Sequence, residues 1–218
     1  GCVNTYCYMS RYNGHRVFVN ENVDDIFNSV VEWEKGFTKV PDQQDPVYTM
    51  VDIACNTDLV LMQKFLPEPL IDYLKRYDNH PTLNSTMATK YPSLLKLDVK
   101  KFNKKPRVRV SLMPQRFADV LEPKMQKVAR RIPEINRLKD LGWEVHVNYS
   151  PLVFYKKWKQ DYSELFKMVK DVAGENKCEV KNSSGVMRYP LKHKTRLLEE
   201  FKELYSQYFD LDTIRYIF

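Results

Sequence analysis

The sequence predicts an α/β protein whose core is a parallel sheet. Segments with the length and apolar content of buried strands alternate with segments whose apolar residues recur at helical spacing, and this alternation is typical of βα units. The chain has 218 residues, which suits one domain or one domain with a small appendage. The sequence has neither an apolar run of about eighteen residues nor a visible signal peptide, so we expect no membrane association.

The first predicted elements are a helix, a strand and an interrupted helix. Residues 22–35 carry apolar side chains at helical spacing, and residues 47–54 are mostly apolar, as in a buried strand. A helix is expected over 58–77 with an interruption near Pro67 and Pro69. The elements expected next are a strand at 82–89, a helical turn at 94–97, a strictly alternating strand at 107–113, a helical stretch over 117–141 broken at Pro123 and Pro133, a strand at 143–149 and a helix at 162–172.

Four strands of this kind are compatible with an open sheet and with a partial (β/α) barrel of the TIM type. In both architectures the functional residues lie at the carboxyl ends of the strands. Those ends are Cys55–Asp58, Thr89–Tyr91, Ser111–Met113 and Asn148–Ser150.

The composition changes near residue 173, so we expect a core at residues 1–172 and a C-terminal extension at residues 173–218. The extension begins with a polar linker and continues with short strand-like pieces around a turn at 182–185. A helix over 194–208 and a strand-like segment over 213–218 complete it. This pattern predicts a β-hairpin and a helix added to the core.

The chain is basic, with a formal net charge of +7. Lys and Arg are concentrated between Lys90 and Arg109, where Tyr91 and Phe102 are interleaved with them. Such a stretch is typical of surfaces that bind phosphates and stack bases, and equally of a solvated face. The four histidines are scattered without ligand spacing, so we assign them no metal.

Two of the four cysteines, Cys2 and Cys7, lie close together among Tyr and Asn residues. Four cysteines in a chain of this size do not indicate a disulfide framework, and the close pair points to metal ligation or redox chemistry in a reducing compartment. Thiolates with short spacing are the usual ligands of iron–sulfur clusters.

The segment Gly1–Met9 resembles the cluster loop of radical S-adenosylmethionine enzymes, in the branch of spore photoproduct lyase. That loop reads Gly-Cys-x-x-x-Cys-x-Tyr-Cys-Tyr. By this resemblance Cys2 and Cys7 are ligands of a [4Fe–4S] cluster, and Tyr6 and Tyr8 occupy the two tyrosine positions. The middle cysteine of the family has no counterpart. Either residues are missing from this loop or the chain is a degenerate homologue.

A second segment, Asp52–Asp58, resembles the strand end that carries the hydrogen-donor cysteine of the family. Cys55 corresponds to that donor, and Thr57 corresponds to a serine placed near the substrate. A lone cysteine after an apolar strand is also typical of a buried core residue. The resemblance implies that Cys55 returns a hydrogen atom to a substrate radical, with Tyr8 as a relay.

The resemblance continues in the same order along nearly the whole chain and, of the two architectures, implies the partial (β/α) barrel. It implies that Ser111 and Asp58 bind the cofactor and that Lys90, Arg188 and Tyr189 bind the substrate. For Lys90 the alternative is a solvated surface lysine, and for Ser111 it is a satisfied strand serine. An Arg-Tyr pair that contacts DNA in the family is replaced by the polar residues 182–184.

The function implied is repair of a thymine dimer in DNA by a 5′-deoxyadenosyl radical generated from S-adenosylmethionine. The partners implied are DNA or another pyrimidine-containing nucleic acid and an electron donor such as a flavodoxin or ferredoxin, and we expect a cytoplasmic protein. Two alternatives are a radical enzyme that acts on another pyrimidine base and a non-catalytic homologue that binds nucleic acid.

Overall fold

The structure, a computed structural model, describes residues 19–38, 45–54, 57–181 and 191–217. Its six described strands form one sheet in which every neighbouring pair is parallel and the spatial order equals the chain order. A doubly wound sheet reverses its strand order, whereas a (β/α) barrel does not. The order therefore favours the partial barrel. The strands are β1 Thr49–Asp52, β2 Leu83–Thr89, β3 Arg107–Leu112, β4 Glu144–Tyr149, β5 Cys178–Lys181 and β6 Ile214–Ile217.

The helices lie between the strands, as the βα pattern predicts. Proline sets their limits, because it lacks the N–H that a helix interior needs. Pro67 and Pro69 precede one helix, and Pro133 begins another. The helices are α1 Val23–Lys35, α2 Leu59–Met62, α3 Leu70–Asn79, α4 Gln115–Leu121, α5 Val128–Arg131, α6 Pro133–Asp140, α7 Trp158–Ala173 and α8 Leu191–Ser206, with short 3₁₀ turns at Gln63–Phe65, Pro92–Leu94 and Leu211–Thr213.

One face of the sheet packs against the helices and forms the hydrophobic core. Val108, Val110 and Leu112 of β3 are buried there with the alternate residues of β4. Tyr149 at the end of β4 lies 5.2 Å from Phe166 of α7, measured between ring centroids. Burying side chains of this size contributes about 1.5–3 kcal/mol each, so this face supplies most of the stability.

The other face carries charged residues, because side chains alternate along a strand. Arg109 of β3 donates to Asp52 of β1 at 2.6 Å and to Glu179 of β5 at 3.4 Å. It therefore joins strands that are two places away on either side of it. His146 of β4 lies 3.2 Å from Glu179 and 2.9 Å from Glu144. These contacts hold the concave side of the sheet together.

The C-terminal residues contribute to the same sheet. β5 pairs in parallel with β4, and β6 pairs in parallel with β5. The linker expected after residue 172 thus leads into a fifth strand at Cys178–Lys181. The turn predicted at 182–185 lies outside the described residues, and the division of the chain at residue 172 stays a prediction. Among the helices that the structure describes, none is long and apolar enough to cross a membrane.

Candidate functional site

Four of the predicted site residues lie in the described part of the chain: Thr57, Asp58, Lys90 and Ser111. All four lie at or just beyond the carboxyl ends of β1–β3. Across the described ranges, no group of three His, Cys, Asp or Glu side chains is arranged to hold a metal ion. The residues outside the described ranges, whose roles stay predictions, are Cys2, Tyr6, Cys7, Tyr8, Cys55, Arg188 and Tyr189.

Asp58 ties the ends of β1 and β2 together. Its Oδ1 accepts from the N–H of Leu61, at the start of α2, and from the hydroxyl of Thr89 at 3.0 Å. Its Oδ2 accepts from the backbone N–H of Lys90 at 2.8 Å. Burial raises the pKa of Asp58, and these hydrogen bonds offset only part of the rise. Both oxygens are engaged, so in this structure the carboxylate fixes the backbone from which Lys90 projects.

Lys90 follows β2 directly and is held by a carboxylate. Its Nζ forms an ion pair with Glu122, and the side chain is 16% exposed. Burial lowers the pKa of Lys90, while the charge and hydrogen bond of Glu122 oppose that change. The alternative interpretation of Lys90 as a solvated surface lysine is therefore wrong.

Glu122 belongs to a buried ion pair that the sequence analysis did not predict. The side chains of Glu122 and Arg131 are 0% and 1% exposed, and Arg131 Nη2 donates to Glu122 Oε2 at 3.0 Å. Arg131 also donates to the carbonyl of Gln126 at 2.6 Å and to that of Ser111 at 2.9 Å. The ion pair thus connects Lys90, at the end of β2, to Ser111, at the end of β3.

Ser111 lies on the concave face, next to the end of β4. Its Oγ accepts a long hydrogen bond of 3.4 Å from Asn148 Nδ2, and both residues are buried. Thr57 is exposed, and its N–H donates to the carbonyl of Ala54 at 3.3 Å. The carboxyl edge therefore presents an ammonium, a hydroxyl and an amide from three neighbouring strands. Such groups bind the polar atoms of a ligand.

The basic stretch between Lys90 and Arg109 does not form one surface. Lys104 Nζ donates to three backbone carbonyls, among them Leu83 at 2.6 Å. Arg107 and Arg109 are buried and paired with carboxylates. The exposed members are Lys96, Lys100, Lys101 and Lys105, and the last three lie on the loop that enters β3, at the amino edge. The interpretation of this stretch as one phosphate-binding patch or one solvated face is wrong, because half of its charges are internal.

Comparison with known proteins points to one family. A family model described as spore photoproduct lyase matches residues 1–216. The spore photoproduct lyase of Clostridium acetobutylicum is 23% identical over 198 residues, which are 90% of this chain and 56% of that protein. The chain thus spans little more than half the length of this curated relative.

Solved structures share the fold. A spore photoproduct lyase complexed with dinucleoside spore photoproduct superposes with a TM-score of 0.74 at 17% identity, over 98% of this chain and 72% of the other. A mutant with bound AdoMet and dinucleoside spore photoproduct gives 0.73 at 16% identity, with the same coverage. These likenesses confirm the predicted partial barrel.

Proposed function

The chain belongs to the spore photoproduct lyase family, and from that premise we propose that it is a lyase that cleaves a thymine dimer, the spore photoproduct, in DNA. The observation that carries the proposal is the connected set Lys90, Glu122, Arg131 and Ser111 at the carboxyl ends of β2 and β3. Function in barrels of this type lies at that edge.

The proposed cofactors are S-adenosylmethionine and a [4Fe–4S] cluster with Cys2 and Cys7 among its ligands. When bound, they supply a 5′-deoxyadenosyl radical that abstracts hydrogen from the substrate. The described residues fit S-adenosylmethionine chemically, since Ser111 and Asn148 offer a hydroxyl and an amide to its polar groups. A bound AdoMet in one related structure supports this assignment.

Each predicted site residue has a proposed task. Lys90 binds the substrate, and Asp58, whose carboxylate also accepts from the backbone N–H of Lys90, binds the cofactor. Cys55 returns a hydrogen atom, since the S–H bond of a thiol is weak. Tyr6 and Tyr8 are assigned to the hydrogen transfer together with Cys55. Thr57, Arg188 and Tyr189 are assigned to the substrate.

The remaining partners follow from the same proposal. An electron donor such as a flavodoxin or ferredoxin reduces the cluster, and we expect the reaction in the cytoplasm. The second candidate function is action on another pyrimidine base, which the polar residues 182–184 favour, since the family has an Arg-Tyr pair there. The third candidate function is binding of nucleic acid without catalysis. The presence of only two cysteines in the segment Gly1–Met9 favours it.

The test is repair of an oligonucleotide containing one spore photoproduct by the anaerobically reconstituted chain, with the restored thymidines measured by chromatography after the DNA is digested to nucleosides. We expect repair by the unmodified chain and a loss of about tenfold or more in Cys55→Ala, equivalent to about 1.4 kcal/mol in the barrier. The matched control is Cys178→Ala, since Cys178 is a buried thiol on the apolar face of β5. A chain that carries its cluster yet leaves the lesion intact would reject the proposal.

A further inference from the structure

A basic surface lies above the carboxyl ends of β2, β3 and β4, on the segments that follow those strands. Its cations are exposed, and its aromatic residues are half-buried. We call this surface the basic rim; it consists of Arg116, Lys124, Lys156 and Lys157 together with Tyr91, Phe117 and Tyr155. We propose that the basic rim binds the phosphodiester backbone of DNA on either side of the base that enters the site, which rests on DNA being the substrate.

Side-chain contacts make the basic rim continuous. The hydroxyl of Tyr91, after β2, donates to the carbonyl of Lys124 at 3.1 Å. The rings of Phe117, after β3, and Tyr155, after β4, meet edge to face with centroids 4.4 Å apart. The guanidinium of Arg116 lies close enough to act electrostatically on the hydroxyl of Tyr155. Three segments that are distant in sequence thus form one surface beside the candidate site.

Two acidic residues of the same segments are paired with cations. Asp119 forms an ion pair with Lys127, and Glu122 is buried between Lys90 and Arg131. Asp161, which accepts a hydrogen bond from Tyr155, and Glu164, which acts electrostatically on the same hydroxyl, keep their charge. Four cations against these two carboxylates still leave the basic rim with an excess of positive charge.

The four cations of the basic rim, in contrast, form no ion pair with any residue that the structure describes. Their charge is directed to solvent. A field of this sign attracts polyanions, and each phosphate it neutralises releases condensed counterions.

The aromatic residues favour nucleic acid over an acidic peptide as the occupant. Tyr91, Phe117 and Tyr155 alternate with the cations along the surface, and flat rings beside cations stack bases while the cations hold phosphates. The position adds a second argument. A base that reaches Lys90 and Ser111 must bring its own backbone across the loops that surround them.

The test compares two charge reversals of equal size. The rim variant carries Arg116→Glu, Lys124→Glu and Lys156→Glu. The matched control carries Lys100→Glu, Lys101→Glu and Lys105→Glu, which changes the charge equally on the exposed loop at the opposite edge of the sheet. Binding of a short duplex DNA by the reconstituted chain is measured without reductant over a range of salt concentrations.

In the rim variant we expect the slope of log K against log salt to fall in magnitude by about 2–3, since each lost phosphate contact removes about 0.9 from it. The control should keep the slope within about 0.5 of the original. An equal loss in both variants, or an unchanged slope in the rim variant, would overturn the proposal. Glutamine versions of the same substitutions repeat the comparison if circular dichroism shows that a reversal disturbs folding.

The binding result is independent of repair, because no turnover occurs without reductant. Binding that depends on the basic rim in a chain that never cleaves the lesion would reject the proposed function and keep this inference. Cleavage of the lesion by a chain whose DNA binding does not depend on the basic rim would reject this inference and keep the proposed function.

Discussion

The two edges of the sheet each hold a lysine with little solvent exposure, and the two lysines are held in different ways. At the amino edge, Lys104 donates to the backbone carbonyls of Tyr77, His80 and Leu83, between the end of α3 and the start of β2. At the carboxyl edge, Lys90 is paired with the side chain of Glu122. Burial lowers the pKa of both lysines.

Under the proposed function, the difference separates an edge that serves structure from an edge that serves the reaction. An ammonium has three donors, so three carbonyls use all the donors of Lys104 and make it part of the backbone framework. A carboxylate held by Arg131 instead orients Lys90 toward the edge where the ligand groups converge. One lysine thus holds backbone carbonyls at the amino edge, and the other has substrate binding as its proposed task at the carboxyl edge.

The largest effect is expected from the ion pair behind Lys90. Arg131→Met leaves Glu122 with one cation fewer and also strands the carbonyls of Gln126 and Ser111. Removing one partner of a fully buried pair costs about 3–5 kcal/mol. Urea unfolding should show this loss in the free energy of unfolding. The control Arg130→Met changes an exposed neighbour and should stay within about 0.5 kcal/mol. Equal losses would mean that the ion pair does not support the carboxyl edge.

The amino edge should govern stability in acid. Burial raises the pKa of Glu144, but hydrogen bonds from His146 and Arg107 and their charges outweigh burial and lower it from 4.5 to about 2. A lowered folded-state pKa gives stability that is present above about pH 4.5 and is lost as the pH falls toward 2. The shift corresponds to about 3 kcal/mol as an order of magnitude.

Glu144→Gln should flatten this acid limb when the midpoint of urea unfolding is followed between neutral pH and the acid range. The exposed Glu164→Gln is the control, and it should leave the limb in place. An acid limb that survives in Glu144→Gln would place the titrating group elsewhere.

The smallest change in stability, with the clearest change in function, is expected from the two lysines. Lys104→Met should cost about 2–3 kcal/mol, since it strands buried carbonyls, and should leave repair intact. Lys90→Met should cost about 1 kcal/mol, because Glu122 keeps Arg131, yet repair should fall about tenfold or more. Unfolding and lesion cleavage are measured on both variants. Equal profiles for the two lysines would remove the distinction between the edges.

Most of the fold was predictable because its signals are local. The alternation from Arg107 to Leu112 predicts a strand whatever it packs against, and Pro133 marks a helix boundary by its own geometry. The strand at Cys178–Lys181 was not identified as part of the sheet, since four alternating residues are too few to show with which strand they pair. The sheet, rather than its own sequence, defines that strand.

The site was predictable only where it matched a known segment. Lys90 and Ser111 were found by resemblance, whereas Glu122 and Arg131 were not, because nothing in the sequence shows that a Glu before a proline and an Arg in a short helix become buried together. The charges of Arg107 and Arg109 were misjudged for the same reason. Their partners lie 37–70 residues away in the chain.

The agreement between strand order and chain order has a consequence for synthesis on the ribosome. The strand that pairs with each newly synthesised strand has already been synthesised, so the sheet can grow in the direction of translation. Glu179 leaves the ribosome 70 residues after Arg109, which takes roughly 4–14 s at ordinary rates. During that interval the concave face of the nascent sheet exposes the charged side chains of Arg109 and Asp52 rather than apolar ones. We therefore expect the concave face of an incompletely synthesised chain to resist aggregation with other chains.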